Sequence, residues 1–243
     1  MGYLLIIGAN SDIAKELARV YAKNGYNLYL ANRDISKLDT FKKDIEIKYQ
    51  KDVKLLELDI LDFDSHKEFY ESLEKKPLGV VSAVGYLGDQ KVAERDFVES
   101  KKIIDTNFTG VVSLLNIVAN DFEKRGSGFI IGISSVAGDR GRKSNYIYGS
   151  SKAAFSSYLS GLRNRLSQNN INVLTVKPGF VDTKMTRGMD LPPRLTAKPY
   201  DVAQDIFKAQ EKGKDIIYTK SLWKIIMLII KLIPEWKFKK MSI

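Results

Sequence analysis

Short apolar runs alternate with longer amphipathic stretches along the whole chain. Seven runs are apolar almost throughout, which is typical of strands buried on both faces. They occupy residues 3–7, 27–31, 53–58, 79–85, 128–134, 171–177 and 215–218. After the first run, Ile13, Leu17, Val20 and Tyr21 recur at helical spacing. This alternation predicts an α/β fold: a Rossmann-like, doubly wound, seven-stranded parallel sheet with helices on both faces.

Further helices are predicted between the later strands. They cover residues 35–50, 63–75, 94–125, 147–168 and 200–212. The helix over 63–75 is polar, and its His66 is expected at the surface. Residues 184–199 contain three prolines and no apolar period, so a loop is expected there. Because loops at the carboxyl ends of strands bind substrate in such folds, this basic, partly apolar loop is a candidate substrate-binding segment.

Length and composition favour one catalytic domain followed by a tail. The 243 residues suit a single dinucleotide-binding domain over residues 1–219 and a basic, apolar tail over 220–243. The chain has no cysteine and one histidine, which excludes a disulfide scaffold, thiol catalysis and a multi-histidine metal site, so no metal is expected. A strand begins at Tyr3 with no charged lead-in, so no signal peptide is predicted and a cytoplasmic location is expected.

The tail carries much of the positive charge. Of the net charge of +10, residues 220–243 contribute +5 through six lysines and one glutamate. A charge so concentrated differs from the basic face of a nucleic-acid-binding protein, and no nucleic-acid partner is expected. Residues 222–233 are apolar apart from two lysines, with Trp223 and Trp236 at the two ends. Such a helix spans about 18 Å, too short for a hydrocarbon core of about 30 Å.

Two roles remain open for this tail. A stripe of lysines with aromatic residues at both ends fits a helix that lies in an anionic membrane surface, on the inner face of the membrane. The alternative is that its apolar face packs in a homo-oligomer or over the substrate cleft. A homo-oligomer is expected for the protein.

The main candidate for chemistry follows the fifth strand. Tyr148 and Lys152 are four residues apart and share one face of the predicted helix. Ser135 lies thirteen residues before Tyr148, at the end of an apolar run. A free phenol titrates near pH 10, and a nearby cation favours the phenolate, so such a phenol can exchange a proton with an alcohol oxygen. The alternative is a chance match, because any helix can carry this spacing.

The turn after the first strand is a candidate phosphate site. Residues 8–14 run from a strand into a helix, which directs backbone N–H groups and a helix N-terminus at one spot. The glycine pattern is incomplete, because Asp12 and Ala14 stand where dinucleotide-binding folds often have glycine. The alternative is an ordinary helix start that Ser11 or Asp12 caps.

Polar and small residues also follow other strands. Arg33 lies two residues beyond the second strand, where a guanidinium matches a 2′-phosphate and favours NADP(H) over NAD(H); a solvated arginine is the alternative. Asp59 ends the third strand and could meet an adenine amino group or cap the turn. Small residues at 82–85 let a flat ligand lie close to the backbone. Asn107 is expected to be buried, as a structural or a catalytic amide.

Together these residues resemble the short-chain dehydrogenase/reductase family over about residues 3–218. The matching marks are residues 8–14, Asp59-Ile60, residues 82–85, Asn107, Ser135, Tyr148, Lys152 and Pro178-Gly179 with Thr183. Asp12 and Ala14 depart from the family's glycines, and Ser82 departs from its usual asparagine. A carboxylate at position 12 is unfavourable beside a pyrophosphate unless it points away.

The resemblance implies a role for each matching residue. Tyr148 is implied as the general acid/base, Lys152 as the cation that lowers its pKa and binds the nicotinamide ribose, and Ser135 as the donor that polarises the carbonyl. Asn107 is implied as the holder of a proton-relay water. The implied cofactor-binding residues are Gly8, Asn10, Ser11, Ile13, Arg33, Asp59, Ile60, Ala83, Gly85, Tyr148, Lys152, Pro178, Gly179, Val181 and Thr183.

The resemblance also implies a reaction: an NADP-dependent oxidoreductase that reduces a ketone to an alcohol. Residues 11–14 and the tail are similar to the branch that contains decaprenylphosphoryl-2-keto-erythro-pentose reductase, which implies a sugar-related, lipid-linked keto substrate and a place in cell-envelope biosynthesis. Two alternatives stay open. One is a non-catalytic dinucleotide-binding sensor or scaffold, and the other is a sugar-nucleotide epimerase or dehydratase, which the short chain disfavours.

Overall fold

A computed structural model describes residues 2–241 of the chain. Its strands are β1 (Tyr3–Ile7), β2 (Asn27–Asn32), β3 (Val53–Glu57), β4 (Gly79–Ser82), β5 (Phe129–Ile133), β6 (Asn172–Pro178) and β7 (Ile216–Thr219). They form one seven-stranded sheet in the order β3-β2-β1-β4-β5-β6-β7, with every neighbouring pair parallel. The doubly wound parallel sheet predicted from the sequence is confirmed.

Helices connect the strands and cover the sheet. They are α1 (Asp12–Lys23), α2 (Asp39–Tyr49), α3 (His66–Glu71), α4 (Gln90–Ala93), α5 (Phe97–Ile104), α6 (Gly110–Arg125), α7 (Tyr146–Leu166), α8 (Pro199–Glu211), α9 (Leu222–Leu232) and α10 (Glu235–Phe238). The helix predicted over 94–125 is divided, because a π-helical turn, Asp105–Thr109, joins α5 to α6. The helix predicted over 63–75 is shorter, because a 3-10 turn, Phe63–Ser65, leads into α3 and the helix ends at Glu71.

The core lies on both faces of the sheet. The pleat of a strand sends alternate side chains to opposite faces. In β1, Leu4 and Ile6 belong to a cluster with residues of α1, α2 and α8. Leu5 and Ile7 belong to a second cluster with residues of α3, α6 and α7. Both faces are covered, which explains why the strands are apolar throughout.

The strand order reverses at β1, which pairs with β2 on one side and β4 on the other. In open parallel sheets of this kind, a crevice forms beyond the carboxyl ends of the strands at the point of reversal. The segments that follow β1, β4 and β5 therefore meet at one edge of the sheet.

His66 is buried, and the sequence prediction that it lies at the surface is wrong. Its side chain is 0% exposed, and its Nδ1 lies 3.0 Å from the Ser113 Oγ of α6. Because α3 packs against α6, a residue on the inner side of α3 is buried even though most residues of α3 are polar. Burial lowers the pKa of His66, which favours its neutral form.

Within residues 2–241, one helical stretch is long and apolar enough to cross a membrane, Phe97–Arg125. In its α6 part, Leu114, Leu115 and Val118 are fully buried in the cluster beneath the sheet. The apolar character of this stretch is therefore explained by its place in the core.

Candidate active site

A cleft of about 640 Å³ opens at the carboxyl ends of the strands, beside the reversal at β1. Every residue predicted for cofactor binding lines it: Gly8, Asn10, Ser11, Ile13, Arg33, Asp59, Ile60, Ala83, Gly85, Tyr148, Lys152, Pro178, Gly179, Val181 and Thr183. Ser135 lines it as well, whereas Asn107 is fully buried behind the lining. The fold thus brings residues from widely separated strand ends into one site.

The turn between β1 and α1 forms a cradle at one end of the cleft. Gly8 has a φ of +76°, which favours glycine, and a Cβ there would lie 3.0 Å from the Ala83 carbonyl. Ser11 caps α1, because its Oγ accepts a hydrogen bond from the Ala14 N–H at 3.2 Å. The N–H groups of Gly8, Ala9 and Ser11 donate to carbonyls of the protein, whereas those of Asp12 and Ile13, in the first turn of α1, have no acceptor within the helix. The cradle therefore fits an anionic group such as a pyrophosphate.

The two departures from the glycine pattern do not obstruct this cradle. The Asp12 carboxylate is directed at the 184–199 loop, where its Oδ2 accepts a hydrogen bond from the Lys184 N–H at 2.7 Å. Asp12 thus connects α1 to the loop predicted to bind substrate. Ala14 is fully buried in the core, where a small side chain permits close packing of α1 on the sheet.

Two cations lie beside the far end of the cradle. Arg33 is exposed and makes no ion pair among residues 2–241. Its neighbour Asp34 is paired with Lys37, whose Nζ lies 2.7 Å from Oδ2, so the carboxylate beside Arg33 is compensated. Lys37 also lines the cleft and was not predicted, because it lies in a turn beyond the strand end. This end of the cleft suits a further phosphate.

The structure shows the contacts of two other residues near strand ends, Asp59 and Ser82. Asp59 Oδ1 accepts a hydrogen bond from the Leu61 N–H at 3.0 Å, so Asp59 caps its turn while also lining the cleft. Ser82, which replaces the usual asparagine of the resemblance, is buried, and its hydroxyl has no hydrogen-bond partner in the described part of the chain.

Ser135, Tyr148 and Lys152 all line the middle of the cleft. Ser135 follows β5, and its Oγ caps the short turn after it. Tyr148 and Lys152 lie one turn apart on α7. Lys152 is 2% exposed, and its Nζ donates to the backbone carbonyls of Val84 and Ile133, both at 3.1 Å. The same Nζ lies 5.8 Å from the centroid of the Tyr148 ring.

Burial controls the protonation of this group. It raises the pKa of the Tyr148 phenol to about 12, although the hydrogen bond with Ser135 acts in the opposite direction. It lowers the pKa of the Lys152 ammonium to about 8. In this structure the Lys152 Nζ donates to backbone carbonyls, and burial is the main influence on the pKa of the phenol. At neutral pH the phenol is protonated and can donate a proton.

Asn107 fixes the backbone beside the candidate catalytic residues. Its Oδ1 accepts a hydrogen bond from the Tyr86 N–H at 2.9 Å, and its Nδ2 donates to the Tyr86 carbonyl at 2.7 Å and the Ile103 carbonyl at 2.8 Å. Both amide hydrogens are thus engaged, and one Oδ1 lone pair remains. Asn107 lies in the π-helical turn between α5 and α6, a feature that often accompanies functional sites.

The tail packs against the opposite end of the cleft. Trp223 of α9 is 4% exposed, lines the cleft, and donates from Nε1 to the Leu195 carbonyl at 3.0 Å. Met227 of α9 is fully buried. Gly179 makes this packing possible, because a Cβ there would overlap the indole of Trp223. For this face of α9 the structure shows packing over the cleft, one of the two alternatives.

Arg140 fastens the end of α9 to the domain. Its Nη1 donates to the carbonyls of Ile230 at 2.5 Å and Ile233 at 2.6 Å, and its Nη2 lies 2.8 Å from the Glu235 carboxylate. Its guanidinium also lies 3.7 Å from the centroid of the Phe238 ring. A cation is favourable at the carbonyl end of a helix. Sequence spacing did not reveal Arg140, since its partners come much later in the chain.

The family profile described as short chain dehydrogenase matches residues 3–192, most of the chain. The chain belongs to the short-chain dehydrogenase family. An uncharacterized oxidoreductase of Mycobacterium tuberculosis is 34% identical over 241 residues, covering 98% of this chain and 96% of that one. An uncharacterized oxidoreductase of Streptomyces coelicolor is 28% identical over 252 residues, with 99% and 96% covered.

Solved structures of short-chain dehydrogenases share the fold. A member from Sphingobium yanoikuyae in complex with NADPH has a TM-score of 0.84 at 22% identity, covering 97% of both chains. A member from Burkholderia cenocepacia in complex with NADP has a TM-score of 0.84 at 20% identity, covering 98% of this chain and 96% of that one. At these identities the likeness shows a common architecture.

Proposed function

We propose that this protein is an NADPH-dependent reductase that converts a ketone to an alcohol. The observation that carries the proposal is the placing of Ser135, Tyr148 and Lys152 in the middle of a cleft whose one end is a phosphate cradle. A hydroxyl and a protonated phenol are the groups that a carbonyl oxygen requires as it becomes an alcohol oxygen.

A nicotinamide cofactor supplies the hydride when it is bound. The cradle at Gly8 and Ser11 would hold its pyrophosphate, and Lys152 its nicotinamide ribose. Thr183 would hold its carboxamide. The other assigned residues, which line the rest of the cleft, are Asn10, Ile13, Asp59, Ile60, Ala83, Gly85, Pro178, Gly179 and Val181.

The protein's own groups then act on the substrate oxygen. The Ser135 hydroxyl donates a hydrogen bond to the carbonyl oxygen and polarises it. The Tyr148 phenol transfers its proton to that oxygen as negative charge develops there. The Lys152 ammonium stabilises the phenolate that remains. Asn107 holds the adjoining loop in place, and its free Oδ1 lone pair is the acceptor left for a relay water.

The preference for NADPH over NADH rests on the outer end of the cleft. The Arg33 guanidinium has no ion-pair partner among residues 2–241, and a guanidinium matches a phosphate bidentately. The nearest acid, Asp34, is neutralised by Lys37 and does not replace the acid that NAD-selective folds place at the strand end. The complexes of the Sphingobium and Burkholderia relatives with NADPH and NADP agree with this assignment.

The substrate proposed is a sugar-related ketone that carries a lipid. The end of the cleft proposed for the substrate is lined by the apolar side chains of Met185, Met189 and Trp223. Polar side chains of the loop before α7, Arg142 and Asn145, also line it. An amphiphilic substrate would satisfy both kinds of surface. This agrees with the similarity of residues 11–14 and the tail to the branch that acts on polyprenyl-linked keto-pentoses, and with a role in cell-envelope biosynthesis.

The outer face of α9 is proposed to lie on an anionic membrane surface on the cytoplasmic side. It exposes a continuous apolar strip, and Trp236 of α10 is exposed beyond it. The strip consists of Leu222, Ile225, Leu228, Ile229 and Leu232. Lys224 and Lys231 are exposed beside the strip, and three more lysines follow α9. Apolar residues bordered by lysines suit a helix lying among anionic headgroups.

Flotation of the full-length protein with vesicles tests this surface. Wild-type protein is expected to float with phosphatidylglycerol/phosphatidylcholine vesicles and far less with phosphatidylcholine alone. The double variant Ile225→Gln/Ile229→Gln should stay at the bottom of the gradient, whereas Ile47→Gln, on exposed Ile47 of α2, should float like wild type. A stable lipid-free dimer that the double variant dissociates would show instead that this strip is a homo-oligomer interface.

NADPH oxidation with a panel of ketones tests the function itself. Keto-sugars and polyprenyl-phosphate keto-pentoses are expected to consume NADPH faster than simple alkyl ketones. Tight NADPH binding with no consumption by any ketone would favour the sensor or scaffold. Conversion of a sugar nucleotide with no net change in NADPH would favour the epimerase or dehydratase.

A further inference from the structure

The loop between β5 and α7 carries a half-buried arginine that lacks a strong partner. Arg142 lines the cleft, and its Nε is buried without a hydrogen-bond partner within residues 2–241. Its Nη2 lies 3.3 Å from the Met227 Sδ, which is a weak acceptor. No carboxylate in the described chain forms an ion pair with it.

The nearest acid is engaged elsewhere. Asp139 Oδ1 lies 2.5 Å from the Lys177 Nζ, and its Oδ2 accepts a hydrogen bond from the Tyr218 hydroxyl at 2.7 Å. Burial lowers the pKa of Arg142, and Asp139 opposes this only in part. A partly buried guanidinium without a carboxylate is unfavourable in the protein alone, and an anionic ligand would compensate it.

An unmatched acceptor lies three residues further along the same loop. The Asn145 Oδ1 is buried and has no donor among residues 2–241, and Asn145 also lines the cleft. The backbone joins the two residues, since the Asn145 N–H donates to the Arg142 carbonyl at 3.2 Å. Asn145 immediately precedes α7, one turn before Tyr148. A donor and an acceptor, both unmatched, therefore flank the approach to the proposed proton donor.

We propose that Arg142 and Asn145 form a substrate subsite in which Arg142 binds an anionic group, of the phosphate class, and Asn145 accepts a hydrogen bond from a substrate hydroxyl. The inference rests on the proposed function and specifies its substrate as a hydroxyl-bearing, anionic ketone. Lys184, Arg187 and Arg194 of the 184–199 loop are exposed to solvent. Because solvent and salt screen exposed charges, they should bind a substrate anion more weakly than Arg142 does.

Calorimetric titration of NADP⁺-saturated protein with octyl phosphate, below its micelle concentration, tests the subsite. NADP⁺ occupies the cradle, so the octyl phosphate that still binds must bind at the substrate end of the cleft. Wild-type protein is expected to bind octyl phosphate at least tenfold more tightly than Arg142→Gln protein. Lys143→Gln removes an exposed charge from the next position of the loop and should change the affinity less than twofold. Equal binding by wild-type and Arg142→Gln protein would overturn the subsite.

Two further measurements separate this inference from the proposed function. NADPH binding and the melting temperature of Arg142→Gln protein should match those of wild type, which would show that the variant is folded and its cradle intact.

Asn145→Asp places a negative charge beside the bound anion and should weaken the binding of octyl phosphate more than Asn145→Ala does. If wild-type protein reduces ketones but does not bind octyl phosphate, the subsite is wrong while the function stands. If it binds octyl phosphate but reduces no ketone, the function is wrong.

Discussion

The two ends of the cleft are built in different ways. At the proposed cofactor end, Gly8 and Ala83 directly follow strands of the sheet, and their N–H groups donate to the carbonyls of Ala31 and Ile7, which fixes the turn that forms the cradle. At the substrate end, Trp223 comes from the tail and Arg142 from a loop. The first end depends on strands whose register is fixed by the core. The second depends on segments outside the sheet, so that substrate choice can change without altering hydride or proton transfer.

Apart from removal of the Tyr148 phenol, the largest effect expected at the shared centre of the cleft comes from pH. Burial lowers the pKa of Lys152 to about 8, so the ammonium loses its proton as pH rises through that value. If the charged form is required, kcat/KM for NADPH should be level below pH 8 and fall about tenfold per pH unit above it. The Tyr148 phenol, with a pKa of about 12, adds no second step in this range.

A steady-state profile between pH 6 and pH 10 checks this prediction. A profile that stays level to pH 10 would show that Lys152 keeps the pKa of an exposed lysine or that its charge is not needed.

A smaller effect is expected from a substitution that disturbs the substrate end of the cleft more than the cofactor end. Gly179→Ala places a methyl group in the indole of Trp223 and should displace α9 from the cleft. Overpacking of this kind costs about 1–3 kcal/mol, and KM for the ketone should rise roughly tenfold to a hundredfold with NADPH affinity changed much less. Gly161→Ala is the matched control, because no atom lies within 4 Å of a Cβ at Gly161. A loss confined to NADPH affinity would place Gly179 at the cofactor end alone.

The smallest expected effect concerns cofactor choice. Arg33→Gln removes the charged donor proposed for the 2′-phosphate, and a hydrogen bond to a charged group contributes about 1.5–3 kcal/mol. Kd for NADPH should rise about tenfold, and Kd for NADH should stay constant, as measured by fluorescence titration. Arg95→Gln removes an exposed arginine away from the cleft and should change neither value. Equal weakening of both cofactors by Arg33→Gln would contradict the proposed preference.

The contrast between the sheet and the segments outside it also explains which features could be predicted from the sequence. Buried parallel strands are continuous apolar runs, so the sheet and the residues that follow its strands, such as Gly8 and Ser135, can be predicted from local pattern. Contacts between distant segments leave no such pattern. His66 lies on a polar helix but is covered by α6, and Arg140 binds carbonyls of a helix that comes much later in the chain.

The protonation of the proposed catalytic residues could not be predicted from the sequence pattern either. The spacing of Tyr148 and Lys152 suggested a cation that favours the phenolate, but the Lys152 Nζ binds two backbone carbonyls and burial dominates both pKa values. Burial depends on the whole fold. Similarly, Asn107 was identified as a structural or catalytic amide, and only its three contacts show how it holds the adjoining loop.

The central claim is that the Tyr148 phenol donates the proton during ketone reduction. The most direct measurement compares Tyr148→Phe with wild-type protein, using the ketone that wild type reduces fastest and recording NADPH oxidation and NADPH binding in parallel. The claim predicts that kcat falls roughly 1,000-fold while Kd for NADPH changes less than twofold. Unchanged turnover by the Tyr148→Phe protein would contradict it.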